Sequence, residues 1–355
     1  FLSRVDREKY PEVRQEYRFQ LQEIAKGRLA HATYGAYQGL LKSTIVPYFR
    51  KKKLTLRELE ARHLQMFYSE MLRRVTPNTV IHYHAVIHSA LKYAVKTDML
   101  IQNVADKVDR PRKNSFQPVF LSADEMQKMF EALRGTKLEL PVLVAAFYGL
   151  RRSEALGLKW DAIDFERDTI TIKHIVTNAK IDGKCEIVCA DRAKTKSSLR
   201  SLPLVSNIRE KLLALREQQK ENRRVCGNCY SKKYDGYVFV DAMGNIFNPR
   251  SVTANFSKLL EQNGLRHIRF HDLRHTFATM AISSGVDVKT LSSMLGHYSA
   301  GFTLDTYTHI TNDMQRGAAE KIGAFMESAT AITTPEPPDP PKESRCKVIP
   351  FEKVG

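Results

Sequence analysis

The sequence predicts a mainly α, α+β chain: a helical bundle followed by a larger, mostly helical domain that carries a small antiparallel sheet. Three observations lead there. Apolar residues recur every three or four positions through the first hundred residues and again from residue 122 onward. Over roughly 169–204 that period gives way to alternation, the pattern of half-buried strands. Proline- and charge-rich stretches break the pattern at two places, near 113–119 and after 328. With 355 residues, 43% of them hydrophobic, the chain is long enough for two cores. The expected divisions are 1–112 for the bundle, 113–119 for a basic linker, 120–328 for the second domain and 329–355 for a disordered tail.

In order along the chain, EVRQEYRFQLQEIAKG reads as a helix stopped at Gly27. HATYGAYQGLLKSTIVPYF places Tyr34, Tyr37, Leu41 and Ile45 on one helical face. Thr55 is expected to cap LRELEARHLQMFYSEML, with Glu58 completing a capping box. Thr76-Pro77-Asn78 reads as a turn, and the helix after it lines up Val80, Tyr83, Ile87, Leu91 and Val95. VDRPRKNSFQPV resists helix at Pro111 and Pro118. Ser122 and Glu125 form a second capping signature, and ELPVLVAAFYGL is a buried helix ending at Gly149. RRSEALGLKWDAIDF continues as helix and turn. TITIKHIV alternates like a strand, Asp182-Gly183 turns it, CEIV returns, and LRSLPLV supplies a third strand. Helices are expected again at 206–222, 249–263, 272–284 and 287–295. DMQRGAAEKIGAFMES carries an apolar stripe of Ala318, Ile322 and Phe325, and beyond it the proline-rich tail has too little apolar surface to fold alone.

The formal net charge is +17, which points to a polyanionic partner. Residues 1–113 hold 22 Lys/Arg against 11 Asp/Glu, so most of that excess sits in the bundle. Arg50-Lys51-Lys52-Lys53 and Arg73-Arg74 fall at helix ends, where long cations reach phosphates; taken singly, each is better explained as a solvated face. No apolar run approaches a membrane span, and FLSRVDREKY is neither a signal peptide nor an amphipathic anchor, so a membrane partner is not expected. The five cysteines suit a reducing cytosol. The pair in VCGNCYS has the spacing of half a zinc site and Cys185 and Cys189 could supply the other half, but no metal-ligand spacing with histidine completes it, and no metal is expected.

The chemistry concentrates near the C-terminus. HDLRHTFAT and LGHYSAGFTLDTYTHI bring His271, Arg274, His297 and Tyr307 into one stretch, and GLRRSE supplies Arg151 upstream. Cutting a phosphodiester requires charge stabilisation on the non-bridging oxygens, a nucleophile and an acid for the leaving oxygen. A guanidinium suits the first task because its planar fork meets two phosphate oxygens and stays charged. His271 and Arg274, three apart on a helix, project from one face. A lone H-x-x-R is common by chance; the signal is the ordered series of arginine, lysine hairpin, H-x-x-R, histidine and tyrosine. Neither a carboxylate cluster fit for magnesium beside these cations nor a Gly-rich phosphate loop occurs in the sequence.

In that ordered series the chain resembles the tyrosine recombinases, above all the integrases of phages and conjugative transposons. AFYGLRRSEALGLKWDAID resembles the family's first-arginine box, AKTKSSLRSLPL its lysine hairpin, and FHDLRHTFATMAISSGVDVKTLSSMLGHYSAGFTLDTYTHI its remaining boxes. The helical N-terminal region resembles the family's core-binding domain, and the likeness spans about residues 30–327. Many such integrases carry an arm-binding domain ahead of the core-binding domain; this sequence begins too late to include one.

The resemblance implies a site-specific recombinase that inserts and excises a mobile element without metal, cofactor or ATP. Tyr307 would be the nucleophile and form a 3′-phosphotyrosine, with Tyr298 and Tyr148 as packing residues. Arg151 and Arg274 would clamp the phosphate; the box favours Arg151 over Arg152 because it follows Gly-Leu. Glu154 would orient Arg151 or simply cap a helix. His271 would accept the phenol proton or donate to the phosphate, and His297 would donate to a non-bridging oxygen. A hairpin lysine would protonate the leaving oxygen, Lys194 being favoured over Lys196; His309 is left out. The implied partners are double-stranded DNA, three further copies in a tetramer on two sites, and an accessory bending or directionality factor, in a bacterial cytoplasm near the nucleoid. The hairpin around 174–193, with Lys180 and Lys184, is a further candidate DNA contact. A non-catalytic DNA-binding protein on the same scaffold, a topoisomerase and, last, a metal-dependent nuclease are the competing readings.

Overall fold

The structure is a computed structural model that describes residues 31–114, 119–181, 184–191, 199–297, 299–301, 303–304, 306–307 and 319–327. Contacts divide the chain into two compact units, Phe1–Thr306 and Tyr307–Gly355. The first unit holds two separate apolar cores, one built from residues 45–108 and one from residues 121–273. Mainly helical structure with small antiparallel sheets is therefore the observed class, as the periodicities predict.

The first core is all helical. α1 (His31–Leu40) runs through a π-helical turn (Leu41–Ile45) into α2 (Val46–Lys51). Pro47 explains the interruption. It lacks an N–H and crowds the carbonyl four residues back, so the helix loosens ahead of it and restarts with proline in its first turn. Thr55 and Glu58 do form the expected box: the Thr55 N–H reaches Glu58 Oε2 at 3.0 Å, and the Thr55 hydroxyl reaches it at 2.8 Å. That box closes only a turn. Leu59 is drawn into the core, Glu60 extends (φ −113°, ψ 164°), and α3 (Ala61–Leu72) begins after it. The Glu60 N–H is capped by His63 Nδ1 at 3.1 Å. α4 (Pro77–Lys96) starts at the proline itself, which tolerates the first helical position. It buries Val80, Tyr83, Ile87 and Leu91, as spaced, while Val95 is half-buried. Tyr68 Oη and His84 Nδ1 share a buried hydrogen bond of 2.9 Å, so neither polar group is stranded in this core.

The second core opens with α5 (Ala123–Leu133), whose Ser122–Glu125 capping box is reciprocal at 3.2 and 2.8 Å. α6 (Glu139–Tyr148) is buried almost throughout, and α7 (Arg152–Leu156) follows one short turn later. The strands differ from the expected single small sheet. TITIKHIV divides at Lys173 into β2 (Thr169–Ile172) and β3 (His174–Ile181). β2 lies between β1 (Ile163–Asp164) and β5 (Arg200–Pro203), all antiparallel, while among the described residues β3 pairs with β4 (Lys184–Asp191) alone. A close approach of backbone to backbone marks the split: a Cβ on Gly157 would stand 2.6 Å from both the His174 carbonyl oxygen and Ile175 Cα. Asp182 and Gly183, read from the sequence as the turn, lie outside the described residues.

α8 (Ser206–Cys226), α9 (Pro249–Gln262), α10 (Asp272–Ser283) and α11 (Val288–Leu295) complete this core, and α10 packs along α6. In the second unit residues 319–327 are helical, with Ile322 and Phe325 exposed. The helix expected near 12–27, Pro118, Ala318 and the tail from 329 lie outside the described residues. Among the described residues no helix is long and apolar enough to cross a membrane.

Candidate active site

The site begins where α6 ends. Gly149 takes φ 58°, and a Cβ there would stand 2.5 Å from Phe277 Cδ1 and 2.6 Å from Leu295 Cδ2. Only glycine suits both the left-handed backbone and that space. The chain then buries Leu150 and presents Arg151 in extended conformation as the N-cap of α7. Glu154, its side chain fully enclosed, accepts the Arg151 N–H on Oε2 at 3.0 Å and the Arg151 Nη1 on Oε1 at 2.7 Å. The two roles foreseen for Glu154, orienting Arg151 and capping a helix, are thus one arrangement. Gly149→Ala should lower stability by about 2–5 kcal/mol, from left-handed strain plus overpacking. Chemical denaturation checks this, and a loss under about 0.5 kcal/mol would contradict it.

Arg274 rises from the first turns of α10 and is 2% exposed. Its Nη1 donates to the Gly149 carbonyl at 2.8 Å and its Nη2 to the Leu295 carbonyl at 2.7 Å. One guanidinium therefore ties the turn before Arg151 to the end of α11, two residues ahead of His297. Asp272 anchors the start of α10: it accepts the Arg269 N–H at 2.8 Å and grips the Arg269 guanidinium at 2.7 and 3.1 Å. Burial pushes the Asp272 carboxyl up, but these bonds outweigh it and hold the group below its usual range. Thr276 is fully buried; its hydroxyl accepts the Leu121 N–H at 3.1 Å and donates to the Asp272 carbonyl at 2.9 Å.

His271 keeps helical dihedrals just before α10, so the three-residue spacing to Arg274 holds. Burial lowers its pKa, and Arg274 and Arg151 lower it further. His275 meets His271 edge to face at 5.1 Å, and burial, aided by His271, lowers its pKa to about 4. His297 follows Gly296, a second left-handed C-cap at φ 63°. Its Nδ1 shares a 2.7 Å hydrogen bond with the hydroxyl of buried Thr303, which fixes the ring. Burial, then Arg274, Arg151 and Arg200, lower the His297 pKa to about 3.

These shifts make a stability prediction. The unfolded chain takes protons on His275 and His297 near the ordinary value of 6.5, but the folded chain resists until about 4 and 3. Their contribution is complete above 6.5 and is lost as pH falls toward those folded values. The urea midpoint should therefore be lower at about pH 5 than at about pH 7.5; an equal midpoint would contradict the reading.

Four of the six anticipated residues, Arg151, His271, Arg274 and His297, thus surround one turn and the ends of α6 and α11. Tyr307 is helical and shielded from solvent at the start of the second unit. Lys194, Lys196, Tyr298 and His309 lie outside the described residues. Tyr148 is buried and caps the Val205 N–H at 3.1 Å, so it is a packing residue as expected. Arg152 turns away to Thr253, at 2.5 Å. Sequence reading passed over His275, Thr303 and Arg200. Of these only Arg200 left a signal, as a charge on the inward phase of an alternating strand. Cys185, Cys189, Cys226 and Cys229 are free thiols, and among the described residues no cluster of three metal-ligating side chains occurs.

Comparison with known proteins agrees with this architecture. Residues 119–314 match the phage integrase family, and residues 19–72 match the phage integrase N-terminal SAM-like domain. The chain belongs to the phage integrase family of tyrosine recombinases, enzymes that cut and rejoin DNA at specific sites. A tyrosine recombinase XerC-like protein of Caldanaerobacter subterraneus subsp. tengcongensis is 27% identical over 315 residues, covering 84% of this chain and 80% of its own. Tyrosine recombinase XerC of Bacillus pumilus is 26% identical over 250 residues, covering 68% and 73%. The fold is shared with the Tn1549 transposon integrase solved with transposon right-end DNA (TM-score 0.69, 20% identity, 87% of this chain and 98% of that one). A lambda integrase dimer on a COC' core site is also similar (TM-score 0.55, 15% identity, 81% and 95%).

Proposed function

We propose that Arg151, Lys194, His271, Arg274, His297 and Tyr307 are the catalytic residues of a recombinase that inserts and excises a mobile element. The observation that carries this is the buried Arg274 fork, which joins the Arg151 turn to the segment bearing His297. Two guanidinium groups and two largely neutral imidazoles set around one point suit a phosphate that gains charge in a pentacoordinate transition state.

The Tyr307 oxygen attacks the scissile phosphorus while His271 takes the phenol proton; the lowered pKa of His271 keeps it neutral and able to accept. The P–O5′ bond breaks, and Lys194 gives its proton to the departing 5′-oxygen. The product is a 3′-phosphotyrosine and a free 5′-hydroxyl. Attack by a 5′-hydroxyl on that phosphotyrosine reverses each transfer, so rejoining needs no ATP. Arg151 and Arg274 hold the non-bridging oxygens and His297 donates to one of them.

The segments 1–112, 113–119 and 120–328 serve as core-binding bundle, basic linker and catalytic domain, and 329–355 as a tail. Bundle and catalytic domain together grip duplex DNA, mostly through phosphates, and the hairpin of β3 and β4 adds contacts. A lambda integrase tetramer has been solved on a Holliday junction, and four copies of this chain on two sites fit the same chemistry. An accessory factor sets bending or direction, and the reaction takes place on DNA in the bacterial cytoplasm. A nicked suicide substrate tests the reading. Mass spectrometry should find a nucleotide on the peptide containing Tyr307, formed equally well in EDTA. An adduct elsewhere, or none, would overturn it.

A further inference from the structure

β5 alternates inward and outward, and its inward positions are Leu202 and Arg200, opposite Ile170 and Ile172 of β2. Leu202 meets the core as expected. Arg200 is 8% exposed, a guanidinium on the apolar phase of a strand. Such a group must find partners. Its Nη2 donates to Glu154 Oε2 at 2.8 Å and its Nε to the Met294 carbonyl at 2.6 Å. Its Nη1 is enclosed without a partner among the described residues. The enclosed Glu154 carboxylate is thus held between Arg200 on one side and the Arg151 guanidinium and N–H on the other. Met294 lies in α11, three residues before His297.

We propose that Arg200 is a positioning residue: its fork locks Glu154 to the end of α11, and so fixes where Arg151 and His297 stand relative to each other. This rests on the phosphate roles proposed above for those two residues. Stability alone does not call for a cation here. A well-packed apolar residue often replaces a buried ion pair without loss, whereas two partners on different elements need a fork to keep them in register.

The test uses Arg200→Lys and Arg200→Met, alone and combined with Glu154→Gln. Lysine keeps the charge and the fold but not the two-armed fork, so it carries the test if the methionine variant does not fold. On saturating nicked DNA each single Arg200 variant should form covalent complex about 10- to 100-fold more slowly, with DNA affinity unchanged. In the Glu154→Gln background Arg200→Lys should add little, because both act through one carboxylate. Cutting by Arg200→Lys at the parental rate, or effects that multiply, would overturn the proposal. Hydrogen exchange on the DNA-free protein is a readout that does not depend on cutting. Exchange should quicken at 149–154 and 292–297 and stay unchanged in α3 and α4; no change in the first two segments would also overturn it. If the parent forms no adduct but exchange responds as stated, the recombinase roles fail while the positioning link stands.

Discussion

Replacing Tyr307 with phenylalanine should abolish covalent attachment to DNA and leave DNA binding intact. The change removes one oxygen and keeps the ring, so packing in the helix at 306–307 is preserved. What is lost is the proposed nucleophile. Removing a nucleophile costs on the order of 10⁴-fold or more in rate, because the remaining groups only stabilise charge and cannot form the bond. Binding comes chiefly from cations meeting phosphates across a long contact, to which one phenol adds little. A detergent-stable adduct on nicked DNA, measured beside a gel shift at fixed salt, separates the two quantities. An adduct in the variant at more than about a hundredth of the parental yield would place the nucleophile elsewhere. Equal loss of binding and adduct would make Tyr307 a structural residue.

Much of this site was legible in the sequence, for identifiable reasons. Arg151 and His297 sit at element boundaries that the chain marks with glycine: Gly149 and Gly296 both take positive φ, and each is followed within two residues by one of these anticipated side chains, while His271 and Arg274 belong to the start of α10. Local signals of this kind act over a few residues and survive folding. The Ser122–Glu125 box is another. Thr55 and Glu58 show the limit. Their hydrogen bonds formed as written, yet the helix began six residues after Thr55, because burying Leu59 outweighed continuing the turn. The strands show a different limit. Alternation through TITIKHIV was correctly read, but pairing is a long-range choice, and the close pass of Gly157 against His174 and Ile175 sends the two halves to different sheets. Arg200 escaped notice for the same reason. Its partners, Glu154 and Met294, are 46 and 94 residues away.

Arg274 should be the most costly cation to remove, and the form of the loss should depend on the replacement. Sequence reasoning alone expects Arg274→Ala to bind DNA normally and cut slowly. The structure adds a second effect, because the guanidinium is buried and serves the Gly149 and Leu295 carbonyls. Alanine leaves both acceptors unsatisfied and opens a cavity between α6, α10 and α11, a loss of about 3–5 kcal/mol. Arg274→Lys separates the two roles. An ammonium keeps the charge and reaches one carbonyl, so the protein should fold with a modest loss of about 1–2 kcal/mol. It cannot span both carbonyls and face a phosphate in a planar fork. Cutting should fall by about 10²–10³-fold, the cost of losing one preorganised donor at a developing charge, with DNA affinity changed little. Single-turnover cleavage at saturating DNA, beside a denaturation curve, measures both. Parental cutting by the lysine variant would mean that charge alone is needed at this position. A lysine variant as unstable as the alanine one would mean that the fork is chiefly a structural tie between the turn at Gly149 and the end of α11.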